Sequence, residues 1–333
     1  MKKAFLNTLA LSVVLATSAQ AADSKPAVVF DMGGKFDGSF NQAVYDGMER
    51  FKADTGIAYQ EFEVTNASQR EQAIRRFAQR GTNPIIAVGF NQTSAIEAVA
   101  PDFPETGFTL LDGVVNQPNV QSVIFKEHEG SFLVGMIAAM KSQTGIVSFV
   151  GGMDVPIIKK FECGYVQGAK YANDEIQVLR NMTGTTPAAF NDPAKGSELA
   201  VSQFDRGSDV VYAAAGGTGF GVYQAAKDSG KFAIGVDSNQ NHLHPGTMLT
   251  SMVKRVDVAS YNASKAVMEG TWKPGFEVLG LAEGGVDWAL DEHNAALITD
   301  EMKAAVDAAK QAIISGELSV HDYMSDNSCP ALD

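Results

Sequence analysis

Two stretches decide the fold: residues 27–34, AVVFDMGG, and residues 146–152, IVSFVGG. Each is a short apolar run closed by paired glycines. Each is followed by a helix-period segment in which a Phe has a Gly seven residues on, Phe40/Gly47 in one and Phe161/Gly168 in the other. A strand, a glycine turn and a helix make the first half of a βαβ unit. Meeting that unit twice, about one domain length apart, predicts two similar α/β lobes.

Outward from the first start, Val44, Met48 and Phe51 recur at helical spacing, and residues 59–64 alternate like a strand. Ser68-Gln69-Arg70-Glu71 has the spacing of a capping box and opens a helix carrying Ile74 and Phe77. Residues 84–89 and 108–112 read as buried strands. Outward from the second start, a helix is expected over about 160–171, and strands over 176–181, 209–215 and 232–236. Buried strands alternating with helices predict parallel sheets covered on both faces. Such sheets bind ligands in the crevice beyond their strand C-termini. Residues 120–125 read as an extended crossing from the first lobe to the second, 247–254 as a return and 276–282 as a third crossing. Lobe 1 is thus expected over 22–124 plus 253–278, and lobe 2 over 125–252 plus 279–333, joined by a three-strand hinge.

Residues 1–21 carry Lys2 and Lys3, then an apolar core, then Ala19-Gln20-Ala21. That pattern is a secretory signal peptide cleaved near Ala21. No cysteine stands near the cleavage site, so a periplasmic protein without a lipid anchor is expected. The net charge of −13 argues against nucleic acid as a partner, because phosphate backbones are repelled. Cys163 and Cys329 either form a disulfide tying down the C-terminal tail, or leave one buried thiol and one in a mobile tail.

Signatures of catalysis are absent. There is no G-x-S-x-G elbow, Walker A loop or H-E-x-x-H. Residues 216–221, GGTGFG, miss the dinucleotide spacing because Val222 follows. His242 and His244 read as a surface loop. No enzyme activity, cofactor or metal is expected.

Four clusters fall at strand ends. In 31–41, DMGGKFDGSFN, a glycine turn leads to Phe40 and Asn41 at a helix start, unless Phe40 is core and Asp37 or Ser39 a cap. Asp112 and Asp237 each end an apolar strand, where a carboxylate is costly unless bonded. A carboxylate can accept from two vicinal hydroxyls at once. Lys254 ends 249–254, LTSMVK, where a hinge strand would deliver it to the cleft beside Asp237.

Together 31–41, 161–168 (FECGYVQG), 209–219 (DVVYAAAGGTG), 234–240 (IGVDSNQ) and 249–258 (LTSMVKRVDV) resemble the basic-membrane-protein family of ABC-transporter binding proteins, of the purine-nucleoside-receptor type. The resemblance implies a type-I periplasmic-binding-protein fold that closes on a purine nucleoside. It further implies a monomer that delivers cargo to an inner-membrane ABC permease. It implies two rings sandwiching the base: Phe40, and Phe161 with Tyr212 and Phe220 as rivals. Asp31, Asn41, Asn91 and Asp112 match the base-edge positions, Asp237 and Lys254 the ribose pair, and Gly217 a backbone contact. Two departures stand out. Residues 33–36, GGKF, replace the acidic or polar stretch of many relatives, and many relatives are lipoproteins. A sugar or furanoside is the alternative cargo, and a nucleoside-cleaving enzyme a more distant reading.

Overall fold

The computed structural model describes residues 24–332, so the signal-peptide reading and the cleavage near Ala21 lie outside the described residues. Ten strands fall into two runs of five. β1 (Ala27–Phe30), β2 (Gln60–Glu63), β3 (Ile85–Val88), β4 (Phe108–Leu111) and β5 (Val120–Phe125) form one sheet. β6 (Ile146–Met153), β7 (Gln177–Gly184), β8 (Val210–Ala214), β9 (Phe232–Asp237) and β10 (Met248–Lys254) form the other. β11 (Gly275–Leu279) returns to the first sheet, parallel to β5, and β12 (Val286–Trp288) joins the second, antiparallel to β10.

The two sheets have the same order. The first runs β11-β5-β4-β3-β1-β2 and the second β12-β10-β9-β8-β6-β7. In each half the strand order is therefore 2-1-3-4-5, the doubly wound arrangement whose ligands sit where the order reverses. The equivalence is residue-level at the strand ends: Asp112 follows β4 as Asp237 closes β9, its counterpart. The described chain passes between the sheets after β5, after β10 and after β11.

Nine helices cover the described sheets: α1 (Phe40–Thr55), α2 (Gln69–Gln79), α3 (Thr93–Val99), α4 (Glu127–Lys141), α5 (Pro156–Ala172), α6 (Pro193–Asp205), α7 (Gly219–Asp228), α8 (Val256–Met268) and α9 (Asp300–Ser315). α4 is buried nearly all round, from Glu127 through Ala139. It has no polar face because it is wedged among α5, α9, β10 and β12.

The two glycine pairs differ. Gly33 and Gly34 have φ of 127° and 89° and make a true turn, which a side chain would strain. Gly151 and Gly152 instead continue β6, where added Cβ atoms would overlap Met182 and the Phe190 ring. α5 accordingly starts at Pro156, four residues before the expected position, and Phe161 lies inside it. Gly47 and Gly168 are equivalent: a Cβ on Gly47 would overlap the Asp257 carbonyl of α8, and one on Gly168 the Phe132 carbonyl of α4. Both permit close helix packing. At Ser68 the helix starts as expected, but without the capping box. The Ser68 hydroxyl donates to Asn66, and Gln69 Oε1 receives the Thr65 and Asn66 amides.

Cys163 and Cys329 are bonded, with Cα atoms 5.7 Å apart, which fixes the C-terminal segment to α5. Gly168→Ala is expected to lower stability by about 1–3 kcal/mol by forcing α4 and α5 apart. Urea unfolding of the variant measures this, and an unchanged midpoint would contradict the packing account.

Candidate functional site

The strand C-termini of both sheets converge on a cleft, where open α/β sheets bind their ligands. The switch point of each sheet supplies a wall. Asp31, Gly89 and Phe90 follow β1 and β3, while Ala214, Ala215 and Gly216 end or follow β8.

Lys254 closes the floor. Its side chain is 1% exposed, and its ammonium donates to Asp112 Oδ2 at 2.5 Å and to Glu127 Oε1 at 2.8 Å. The rings of Phe40, Phe125 and Phe161 surround it, with centroids 5.2, 5.0 and 5.4 Å away. Lys160 approaches the other oxygen of Glu127 at 3.0 Å and donates to the Phe125 carbonyl at 2.7 Å. Asp112 comes from the first sheet, Lys254 from the second and Glu127 from the start of α4, so this ion cluster joins the two halves.

A second set of bonds joins them at the loop before α1. Ser39 Oγ donates to Asp237 Oδ2 at 2.7 Å. Gln240 Nε2 donates to the Gly38 carbonyl at 2.8 Å, and Ser238 Oγ to the Ser39 carbonyl at 3.0 Å. Asp37 organises the loop itself by accepting the amides of Ser39, Asn41 and Gln42. It caps α1, whose N-cap residue Ser39 makes no side-chain cap bond of its own.

Asp112 and Asp237 have φ of 64° and 62°, the left-handed region that side chains other than glycine seldom adopt. Such strain persists where the surroundings enforce it, which marks both as functional candidates. Burial pushes each carboxyl up to about 6, against the pull of the Lys254 ammonium. Burial acts in the same direction on Glu127, but Lys254 and Lys160 outweigh it and hold that carboxyl at about 2. Burial would lower Lys254; Asp112, Glu127 and Asp237 together keep it above the ordinary lysine value. Among the described residues, Asp112 Oδ1 is buried without a hydrogen-bond partner, and no protein donor reaches the second oxygen of Asp237.

Of the residues singled out in the sequence, Asp31, Phe40, Asn41, Asp112, Phe161, Asp237 and Lys254 line the cleft. Lys254 pairs with Asp112 and Glu127 rather than with Asp237. Asn91 stands behind Asp31, to which it donates at 2.7 Å, and is not part of the wall. Gly216, not Gly217, reaches the cleft. Tyr212 is fully buried against Phe149 and Tyr165, and Phe220 is 37% exposed with its ring against Gly38. Neither lines the cleft. Phe190, Glu127 and Lys160 were not found from sequence. Phe190 sits in a single 3₁₀ turn (Pro187–Phe190) with no periodicity to flag it. Glu127 and Lys160 sit in helices where a charge reads as an ordinary surface residue.

A family model described as ABC transporter substrate-binding protein PnrA-like (Bmp) matches residues 25–323. The chain belongs to this family. An ABC transporter nucleoside-binding protein, BmpA, of Lactococcus lactis subsp. cremoris is 34% identical over 321 residues, covering 90% of this chain and 89% of that protein. An uncharacterized lipoprotein of Pyrococcus abyssi is 36% identical over 292 residues, covering 83% of this chain and 71% of that protein. The crystal structure of an ABC transporter solute-binding protein from Aeropyrum pernix K1 superposes with a TM-score of 0.83 at 30% identity, covering 90% of this chain and 93% of that one. The fold is thus that of the periplasmic binding proteins, as the resemblance implied, and the family is one of substrate-binding components of ABC transporters. Among the described residues no helix is long and apolar enough to cross a membrane.

The carboxyl shifts have a stability consequence with a definite sign. Asp237 titrates at about 6 when folded and near 3.9 when unfolded. The folded state therefore holds the extra proton between about pH 4 and 6, and this group's contribution to stability falls as pH rises through that window. Asp237→Asn is expected to raise the melting temperature at pH 8 and to change it little at pH 4.5. A lower melting temperature at pH 8 would contradict the assignment. Lys254→Met leaves two buried carboxylates without their shared cation and is expected to cost about 3–5 kcal/mol, read by denaturant unfolding.

Proposed function

We propose that this protein captures a purine nucleoside in the cleft and presents it to an inner-membrane ABC permease, acting as a periplasmic monomer. The observation that carries the reading is the pairing of open aromatic faces with a strained, half-satisfied carboxylate in one enclosure. Phe40 and Phe190 are each only partly buried, line the cleft and belong to opposite halves. A stacking ring needs an exposed face, and Phe161 is 4% exposed. We therefore take Phe40 and Phe190 as the pair that sandwiches the base, with Phe161 as part of the floor around Lys254. Asp237 and Asp112 each keep an oxygen open for a ligand hydroxyl, and Lys254 adds a cation beside them.

The charges favour a neutral, donor-rich ligand. Among the described residues, Asp31, Asp37, Asp112 and Asp237 line the cleft, against one lining ammonium, Lys254. A ribose diol donates to carboxylates, whereas a phosphate would be repelled. Stacking on each ring contributes roughly 1–3 kcal/mol and each hydrogen bond to a charged group roughly 1.5–3 kcal/mol. Two rings and two such bonds reach the roughly −8 kcal/mol of micromolar binding after ordering costs. Ligand contacts to both halves would strengthen the closed form, and closure would report occupancy to the permease.

Calorimetric titration at pH 7.5 is expected to give micromolar or tighter binding of nucleosides and at least tenfold weaker binding of their 5′-monophosphates. Phe40→Ala, Phe190→Ala and Asp237→Ala should each weaken nucleoside binding at least tenfold. Because the Asp237 carboxyl lies near 6, affinity should also fall about tenfold between pH 7.5 and pH 5 as it takes up a proton. Absence of heat and of any thermal shift with adenosine, guanosine and inosine would refute the reading, and sugars outcompeting nucleosides would replace it with the sugar alternative.

A further inference from the structure

Gly38 and Ser39 belong to the first half, yet both of their carbonyls are bonded by side chains of the second. Gln240 Nε2 donates to the Gly38 carbonyl at 2.8 Å and Ser238 Oγ to the Ser39 carbonyl at 3.0 Å. The Phe220 ring packs directly on Gly38, where an added Cβ would overlap it. Gln240 is itself immobilised. It is 1% exposed, and its Oε1 accepts the Val236 amide and the Tyr223 hydroxyl, both at 2.8 Å. Its amide can therefore hold the Gly38 carbonyl with little further loss of side-chain freedom. None of Gly38, Ser39, Phe220, Ser238 and Gln240 lines the cleft.

What these contacts deliver is one hydroxyl. Ser39 Oγ is buried and donates to Asp237 Oδ2 at 2.7 Å. The Val236 carbonyl, 3.3 Å away, offers the same hydrogen a longer and uncharged alternative. The bond to a carboxylate is the stronger of the two. It engages one oxygen of Asp237 and leaves the other for a ligand.

We propose that Ser39 is the positioning residue for Asp237, carried to it by a clasp of second-half residues that do not themselves line the cleft. The inference rests on the purine nucleoside reading above for the identity of the ligand. A donor to a carboxylate favours its charged form. Burial works against that form in Asp237, as do the charges of Asp37, Glu127 and Asp112, while Lys254 and Ser39 support it. Tyr212 and Tyr223, also near it, stay neutral because burial raises them. Without the Ser39 hydroxyl, Asp237 takes up its proton at higher pH.

The test compares the wild type with Ser39→Ala, Gly38→Ala and Gly38→Ala combined with Phe220→Ala. Ser39→Ala leaves the start of α1 intact, because Ser39 makes no side-chain cap bond. Two readouts are used: carbon-13 titration of the Asp237 carboxyl in the ligand-free protein, and calorimetry with adenosine, guanosine and inosine at pH 7.5 and pH 5. In Ser39→Ala the Asp237 midpoint should rise by about one pH unit, so that affinity falls roughly thirtyfold or more over this interval, against about tenfold in the wild type. Gly38→Ala should move both readouts the same way by forcing the clasp apart, and the added Phe220→Ala should return them toward the wild type by making room for the Cβ. A purely structural role would weaken binding by the same factor at both pH values and leave the midpoint in place. An unmoved midpoint or an unchanged pH slope in Ser39→Ala overturns the proposal, as does a Gly38→Ala defect that Phe220→Ala does not relieve. If Gly38→Ala does not fold, Ser238→Ala replaces it, with the same upward shift expected and an unmoved midpoint overturning the clasp. A wild type that binds no nucleoside contradicts the nucleoside reading, and the carbon-13 titration then decides the role of Ser39 by itself.

Discussion

A single buried ammonium organises the molecule. Lys254 ends β10, yet its partners are Asp112 at the end of β4 in the other sheet and Glu127 at the start of α4. Burying an ion pair seldom increases stability over a well-packed apolar alternative. Here desolvation is offset by two carboxylates and three aromatic rings around one cation. What the arrangement provides is geometry. It ties both sheets and the segment between them to one point on the floor of the cleft, and it leaves Asp112 Oδ1 buried without a partner. The sites where the fold is least satisfied are those that a ligand would satisfy.

The internal repeat explains why these groups converge. Both sheets follow the same 2-1-3-4-5 order, so each brings a carboxylate to the end of its fourth strand in a left-handed backbone conformation. The halves then diverge. Asp112 is claimed by Lys254, whereas among the described residues Asp237 accepts a side-chain hydrogen bond only from Ser39, through one oxygen. Equivalent positions thus have different partners, although both line the cleft. The glycine pairs diverge in the same way, a turn in the first half and a continuing strand in the second.

Much of this was legible in the chain, for identifiable reasons. An acid that closes an apolar strand is conspicuous, so Asp112 and Asp237 could be found from pattern alone, whereas the role of Asp31 came only with the family resemblance. Lys254 was found because it ends a strand; its partner was misjudged because Glu127 stands at a helix start, where a carboxylate ordinarily serves only the helix dipole. α4 itself gives no amphipathic period, being apolar on every face. Phe190 was missed because a 3₁₀ turn has no periodicity, and its approach to the cleft depends on Gly152 and Gly216, remote in sequence. Gly217 and Asn91 fell one layer away from the wall because loop geometry beyond a strand end is not set by the strand's own pattern. The disulfide was one of two open readings, and only the approach of the tail to α5 resolves it.

On the proposed function, the cleft between the two sheets would hold a nucleoside by its two chemically distinct ends. The most direct measurement is a crystal structure grown with saturating guanosine. The account predicts the base between Phe40 and Phe190 and the ribose hydroxyls within hydrogen-bond distance of Asp237 and Lys254. A nucleoside bound outside the cleft, or a cleft left empty at saturation, would contradict it.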